Sequence, residues 1–181
     1  MRKMRAISMG AVLALLVAPP AGGRKAGAAV TDRRPACTIT GTSGPDTLVG
    51  TTGDDVICGL GGRDTIRARS GADVVFGGPA NDIIFGGGGD DRLDGGTGFD
   101  LVRGLGGDDH VGGGPGVDIV TGDFGADVIE GGPGNDRCLS AIDQVGGNDT
   151  VIGGGGTDTY ELDPGDAHRS AEILSPSCID E

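Results

Sequence analysis

The sequence has few of the side chains from which a conventional hydrophobic core is built. Among its 181 residues there is no tryptophan, one tyrosine and four phenylalanines. Large apolar and aromatic side chains supply much of the buried surface of an ordinary globular domain. Glycine, in contrast, occurs 40 times. This composition favours either a disordered chain or a repetitive fold with a thin core.

Charge is unevenly distributed along the chain. No acidic residue precedes Asp32, and no lysine follows Lys25. If residues 1–28 are removed, nine cationic and 27 acidic residues remain, which is a formal charge of −18. A surface this negative repels nucleic acid and anionic membranes and attracts cations. We therefore expect no nucleic-acid partner and no insertion into a membrane.

The first residues are typical of a signal peptide. A basic stretch ends at Arg5, and the apolar run that follows, residues 6–18, is too short to span a bilayer comfortably. Ala26-Gly27-Ala28 then offers a small-x-small cleavage site. We predict a signal peptide over residues 1–28 and an N-terminal cap over 29–40, with an uncleaved anchor as the alternative. Export by this route predicts a secreted, extracellular protein in oxidising, calcium-rich surroundings.

A nine-residue repeat fills the rest of the chain up to residue 161. Eleven blocks follow one another without a gap from Gly41, a four-residue insertion at 140–143 breaks the phase, and two more blocks follow. A disordered acidic chain needs acids but no fixed phase, so this periodicity favours a repetitive fold. Aspartate holds the sixth position of all thirteen blocks: Asp46, Asp55, Asp64, Asp73, Asp82, Asp91, Asp100, Asp109, Asp118, Asp127, Asp136, Asp149 and Asp158.

Each block divides into a turn of six residues and a strand of three. Glycine, which predominates at the first and fourth positions, permits positive φ angles and close backbone approach. The eighth position is the centre of the strand, and its side chain is expected to point inward while its neighbours point outward. The residues at this position are apolar, except that one block has cysteine: Leu48, Ile57, Ile66, Val75, Ile84, Leu93, Val102, Val111, Val120, Ile129, Cys138, Val151 and Tyr160.

These blocks resemble the RTX (repeats-in-toxin, haemolysin-type) family, whose pattern is G-G-x-G-x-D-x-U-x with U a large aliphatic residue. The full G-G-x-G-x-D form begins at Gly86, Gly95, Gly113, Gly131 and Gly153. The two earliest blocks depart from it, with Thr42 and Thr51 at the second position. The resemblance spans residues 41–161. It implies an all-β fold, a right-handed parallel β-roll with calcium ions between its loops, in a small secreted stand-alone protein.

The spacing of the aspartates points independently to calcium. In a coil with two nonapeptides per turn, every second block stacks roughly 4.8 Å from the last. Carboxylates about 5 Å apart repel by about 3 kcal/mol at an effective dielectric constant of about 20. Calcium binds carboxylate and backbone carbonyl oxygens, whereas zinc prefers histidine and cysteine. We therefore predict multiple Ca²⁺ ions, bound by the aspartates and loop carbonyls, that drive folding of a chain disordered without them.

The four cysteines suggest two disulfides, because their number is even in a chain predicted to be exported. Bonds Cys37–Cys58 and Cys138–Cys178 would staple the two ends of the coil, and free buried thiols are the alternative. The remaining segment, residues 162–181, has no repeat. We expect it either to cap the last turn or to be disordered.

No catalytic motif accompanies the repeats. The chain contains neither H-E-x-x-H nor a G-x-S-x-G nucleophile elbow, so we predict no enzymatic activity and no catalytic residue. The first function to consider is a secreted calcium-binding module. The second is an adhesion or matrix protein that uses the calcium-stiffened roll as a scaffold, with the insertion Ser140–Asp143 as its candidate contact loop. The third is the remnant of a secreted RTX hydrolase or toxin.

Overall fold

The computed structural model describes residues 35–141, 148–162, 164–169 and 173–174. The predicted signal peptide and part of the predicted N-terminal cap lie outside these residues. The described part contains strands but no helix, and therefore no helix that is long and apolar enough to cross a membrane. Its strands are β1 (Ile39–Thr40), β2 (Thr47–Val49), β3 (Val56–Cys58), β4 (Thr65–Ser70), β5 (Val74–Pro79), β6 (Ile83–Gly88), β7 (Arg92–Thr97), β8 (Leu101–Gly106), β9 (His110–Gly112), β10 (Ile119–Phe124), β11 (Val128–Pro133), β12 (Arg137–Ala141), β13 (Thr150–Gly155), β14 (Thr159–Leu162), β15 (Ala167–Arg169) and β16 (Ile173–Leu174).

The strands alternate between two parallel sheets of eight. The odd-numbered strands form one sheet and the even-numbered strands form the other, each in sequence order. Leu48 is in register with Ile66, and Ile66 with Ile84. Because paired residues are 18 positions apart, two nonapeptides complete one turn. The all-β class and the parallel β-roll predicted from the repeat are confirmed.

Most strands are longer than the three residues that the repeat predicts. Strand β6 continues beyond Phe85 through the first three residues of the next block and ends at Gly88. The φ angle of Gly87 is 130°, a conformation that glycine adopts without steric cost. The chain can therefore bend at this residue while Gly87 and Gly88 still pair with Arg69 and Ser70 of β4. The predicted turn is thus partly an extension of the sheet.

The core is a single file of side chains enclosed between the two sheets. Its largest fully buried side chains are those of Ile57, Ile66, Val75, Ile84, Leu93, Val102, Val111, Val120, Ile129, Leu139 and Val151. All of them except Leu139 stand at the predicted eighth position. Tyr160 is 5 % exposed, and Leu48 packs against the end of the file.

At one turn the predicted core residue is wrong. The eighth position predicts Cys138, but a register shift between Ile119 and Val120 pairs Val120 with Leu139. Leu139 is completely buried at this place. An extra residue in one strand re-aims the side chains that follow it, and leucine buries more apolar surface than cysteine would.

The four-residue insertion is visible as a change of register. Val128 pairs with Thr150, 22 positions later instead of 18. Strand β12 extends through Ser140 and Ala141, which pair with Glu161 and Leu162. The first half of the insertion is therefore sheet, and residues 142–147 lie outside the described part.

Both ends of the roll are extended by segments outside the repeat. A disulfide joins Cys37, which precedes β1, to Cys58 in β3, with 5.9 Å between their Cα atoms. This confirms the first predicted bond. Cys178 lies outside the described residues, so its bond to Cys138 stays a prediction. Beyond residue 162, β15 pairs with β13 and β16 pairs with β14, so this segment adds one strand to each sheet.

Candidate metal sites

The sixth-position aspartates form two ladders along the roll, one for each set of alternate blocks. The backbone N–H of Asp82 donates to Oδ1 of Asp100 over 2.7 Å, and the N–H of Asp100 donates to Oδ1 of Asp118 over 2.8 Å. The same bond recurs from Asp46 to Asp158 in one ladder and from Asp55 to Asp149 in the other. From Asp64 onward, each carboxylate is therefore fixed by the peptide of the preceding turn.

These aspartates are buried although they are charged residues. From Asp64 to Asp158, the exposed fraction of every one of them is at most 3 %. Nine have an Oδ2 atom that is shielded from solvent and has no hydrogen-bond partner: Asp64, Asp73, Asp82, Asp91, Asp100, Asp109, Asp118, Asp136 and Asp158. A buried polar atom without a partner costs about 1–3 kcal/mol, and more when it is charged. A regular series of such atoms indicates that each has a partner other than the protein.

The glycine at the first position of most blocks leaves room beside the unpartnered oxygen. An ideal Cβ placed on Gly95 would lie 2.9 Å from Oδ2 of Asp100 and 2.6 Å from the carbonyl oxygen of Gly113. The carboxylate of one block and a carbonyl of the next turn thus approach the same Cα atom. Other first-position glycines, including Gly59, Gly77 and Gly131, have equivalent neighbours. Glycine at this position therefore accommodates the oxygens around it, although the block of Asp73 begins with Ala68, which is fully buried.

The ligands that meet here are a carboxylate oxygen and a backbone carbonyl oxygen. Within the described residues, no three His, Cys, Asp or Glu side chains converge as a metal-binding group. A cation at Oδ2 would therefore take its further ligands from main-chain carbonyls and water. Calcium accepts this combination of one carboxylate and several carbonyls, whereas zinc would need nitrogen or sulfur ligands. The donor set fits the calcium that the sequence predicts.

Burial changes the acidity of the ladder. Burial is the largest cause of the raised pKa values. It raises the pKa of Asp109 and Asp118 to about 7. The pKa is raised to about 6 for Asp82, Asp91 and Asp136. The N–H received from the neighbouring turn opposes this rise, and nearby carboxylates add to it. Without a cation, these five carboxyl groups thus take up protons at a higher pH, about 6 to 7, than an ordinary aspartate does.

These raised pKa values predict that acid partly replaces the cation. The folded pKa values of about 6 to 7 exceed the ordinary value of 3.8, so the metal-free fold binds protons more tightly than the unfolded chain. Its free energy of unfolding falls as the pH rises from about 4 to 7 and levels off above that. Circular dichroism of metal-free protein should therefore show more β-structure at about pH 5.5 than at about pH 8. No gain on acidification would contradict this, and calcium-saturated protein provides the control because it should not gain.

A further set of hydrogen bonds between turns, made by side chains at the fifth position of the blocks, is missing from the sequence-based prediction. We call it the fifth-position ladder. Here the bond runs in the opposite direction, because the N–H of the later block donates to the side chain of the earlier one. Asp90 accepts from the N–H of Asp108 over 3.0 Å, and Asp108 accepts from Ala126 over 3.0 Å. Asp54, Asn81 and Asn135 accept in the same way. The recurrence of Asp or Asn at position five is the signal that would have revealed it.

The aspartate ladder also extends one residue beyond the predicted set. Oδ1 of Asp166 accepts the N–H of Asp149 over 3.2 Å. The separation of 17 residues departs from the period, which is why the repeat pattern does not include Asp166. The segment after residue 162 therefore continues the ladder as well as the sheets.

Asp46 and Asp55, in the first two blocks, differ from the rest. The Oδ2 atom of each accepts hydrogen bonds from the threonine at the second position of its own block. The backbone bond from Thr51 is the largest cause that lowers the pKa of Asp55. Both residues belong to the predicted set and to the ladders, but their second oxygen is satisfied by protein.

A comparison with known families agrees with this geometry. The family model of the RTX calcium-binding nonapeptide repeat matches residues 38–66, 59–93, 67–102, 85–120, 112–141 and 146–166. No curated protein matches the chain. The matched segments together span more than half of the chain and include every described turn of the aspartate ladder up to residue 166. The chain belongs to the family of RTX calcium-binding nonapeptide repeat proteins.

Proposed function

We propose that this is a secreted calcium-binding protein whose roll folds as it binds multiple Ca²⁺ ions. The observation that carries the proposal is the series of nine buried Oδ2 atoms without a hydrogen-bond partner. The sixth-position aspartates and the carbonyls of the glycine turns would hold the ions, and calcium would supply the positive charge that these oxygens lack. The Cys37–Cys58 disulfide supports an oxidising, extracellular location.

The arrangement of the ladders explains why binding and folding should occur together. Oδ2 of Asp100 and the carbonyl oxygen of Gly113 belong to different turns, so they approach each other only when the roll is formed. The unfolded chain therefore has no preformed site, and a ligand that binds only the folded state stabilises it. The adhesion role and the origin as a hydrolase or toxin remnant stay predictions from the sequence.

Calcium titration of an asparagine variant tests the assignment of the ligands. Asp100→Asn keeps an oxygen that can accept the N–H of Asp82. The substitution replaces the other carboxylate oxygen with an amide nitrogen and removes the negative charge. We expect this variant to bind one Ca²⁺ fewer than the parent chain, or to bind it at least tenfold more weakly, by isothermal titration calorimetry.

Glu130→Gln provides the matched control. Its side chain also carries a single negative charge, but it is 48 % exposed and lies beside His110 on the outer face of a sheet. The stoichiometry of this variant should equal that of the parent. Near-zero calcium uptake by the parent would overturn the proposed function, and an unchanged stoichiometry in Asp100→Asn would remove that residue from the ligand set.

A further inference from the structure

We propose that the first turn of the roll is closed by threonine in place of calcium. Thr42 and Thr51 donate hydrogen bonds to a carboxylate oxygen of Asp46 and of Asp55, respectively. Calcium binding begins at Asp64. This inference rests on the proposed function, because it divides the thirteen aspartates into two that bind no ion and the remainder that do.

Two donors of the same threonine converge on one oxygen in each of these blocks. The backbone N–H of Thr42 lies 2.6 Å from Oδ2 of Asp46, and its hydroxyl lies 2.9 Å from the same atom. Thr51 donates to Oδ2 of Asp55 over the same two distances. The oxygen that has no hydrogen-bond partner in nine of the later blocks is thus doubly hydrogen-bonded in the first two.

The difference begins with the backbone of the second position. In the next two blocks this residue is Leu60 or Arg69, with φ angles of 77° and 88°, and the glycines that follow at this position are also positive. Thr42 and Thr51 do not have positive φ angles, in keeping with the strong disfavour of that region for β-branched residues.

The direction of the second-position N–H follows from this backbone difference. With a positive φ angle, the N–H of Gly96 donates to the carbonyl of Gly113 in the next turn over 3.1 Å. In the first two blocks the N–H is directed at the carboxylate of its own block instead. A cation at these two oxygens would meet polarised hydrogens where the later blocks leave space, and both contacts would be repulsive.

Other bonds that need no metal hold the same turn. Cys58, the last residue of the second block, is tied to Cys37 by the disulfide. Thr38 accepts the N–H of Val56 over 2.9 Å and directs its own hydroxyl to Oδ1 of Asp55 over 3.4 Å. Among residues 35–141, the first turn has a neighbouring turn on one side only, so these bonds replace the contacts that a preceding turn would provide. It can serve as the metal-independent end on which the calcium-binding turns stack.

Calcium stoichiometry of two equivalent variants tests the inference. Asp55 and Asp91 stand in the same ladder, and only the Oδ2 of Asp91 has no partner. By isothermal titration calorimetry we expect Asp55→Asn to bind as many Ca²⁺ ions as the parent and Asp91→Asn to bind one fewer. If Asp55→Asn also loses one ion, the inference is overturned while the proposed function stands. If the parent binds no calcium, the proposed function fails and the inference fails with it.

Thermal unfolding in saturating calcium gives a second readout. Thr51→Val keeps the β-branched shape but removes the hydroxyl, whereas Thr51→Ser retains the hydroxyl. Losing one hydrogen bond to a carboxylate should lower the midpoint by about 3 °C or more in Thr51→Val. Thr51→Ser should recover most of that loss, and neither variant should change the calcium stoichiometry. Equal midpoints for the parent and Thr51→Val, or a changed stoichiometry, would overturn the role of this threonine.

Discussion

Removing calcium from the folded protein is expected to abolish most of its β-structure at neutral pH. The core is a single file of mostly aliphatic side chains, which is a small amount of buried apolar surface for so long a chain. Nine buried carboxylate oxygens would be left without a partner, and their neighbours in each ladder carry the same charge. Circular dichroism before and after addition of a chelator measures the change.

The physical reason distinguishes this loss from ordinary destabilisation. From Asp64 onward, each ladder aspartate receives one N–H from the preceding turn, and this bond accounts for one oxygen only. The second oxygen has to be neutralised by a cation or by a proton. At about pH 8 protons are too scarce, because even the highest folded pKa values are about 7. The metal-free chain should therefore expand, which small-angle scattering would detect as a larger radius of gyration.

Two controls make the result specific. Restoring calcium in excess of the chelator should recover the β signal, whereas magnesium at the same concentration should recover little of it, since it demands a tighter octahedral site and releases its water reluctantly. A β signal that persists unchanged in chelator at about pH 8 would show that the roll folds without ions and would contradict the prediction.

Gly86→Ala, which adds a single methyl group beside Asp91, should remove one calcium site. An ideal Cβ on Gly86 would lie 2.8 Å from the carbonyl oxygen of Gly104 and even closer to Oδ2 of Asp91. Real Cβ atoms are not found at such distances, so Gly86→Ala must displace the carboxylate, the carbonyl or both. We expect the loss of one bound Ca²⁺ and a decrease of about 1–3 kcal/mol in the free energy of unfolding in saturating calcium.

Gly88 provides the matched control within the same block. A Cβ at Gly88 would have nothing within 4 Å, and neither Gly86 nor Gly88 has a positive φ angle. The two alanine variants therefore differ in the space around the new methyl group and not in backbone strain. Gly88→Ala should keep the full calcium stoichiometry and change the free energy of unfolding by no more than about 0.5 kcal/mol. Equal effects of the two substitutions, measured by calorimetry and denaturant titration, would contradict the proposed role of Gly86.

Much of the fold can be predicted from the sequence because the repeat encodes it locally. An inward residue such as Val102 and a ladder residue such as Asp100 are separated by the same two positions in every uninterrupted block, and stacking brings equivalent positions together. The prediction fails where the period is interrupted. Leu139 takes the place predicted for Cys138 because the strand contains an extra residue before the insertion.

The contacts that distinguish one turn from another depend on residues 18 positions apart. At the fifth position, Asp90 accepts the N–H of Asp108 from the later turn. At the sixth position, Asp100 accepts the N–H of Asp82 from the earlier turn. Nothing within a single block shows that the hydrogen bonds at these two positions run in opposite directions. Likewise, threonine at the second position is a mild departure from the repeat until the hydrogen bonds from Thr51 to Asp55 are seen.

By itself, the sequence determined the period, the face on which each aspartate lies and the preference for a hard cation, because these follow from residue type and spacing. Only the tertiary structure decided which carboxylate oxygens have a partner. Whether an Oδ2 atom has a partner depends on where the N–H of the second-position residue points. It points either at the aspartate of its own block or at a carbonyl of the next turn, according to the φ angle of that residue. The two early blocks and the later ones carry the same aspartate, but the backbone around it directs a hydrogen at one and leaves space at the other.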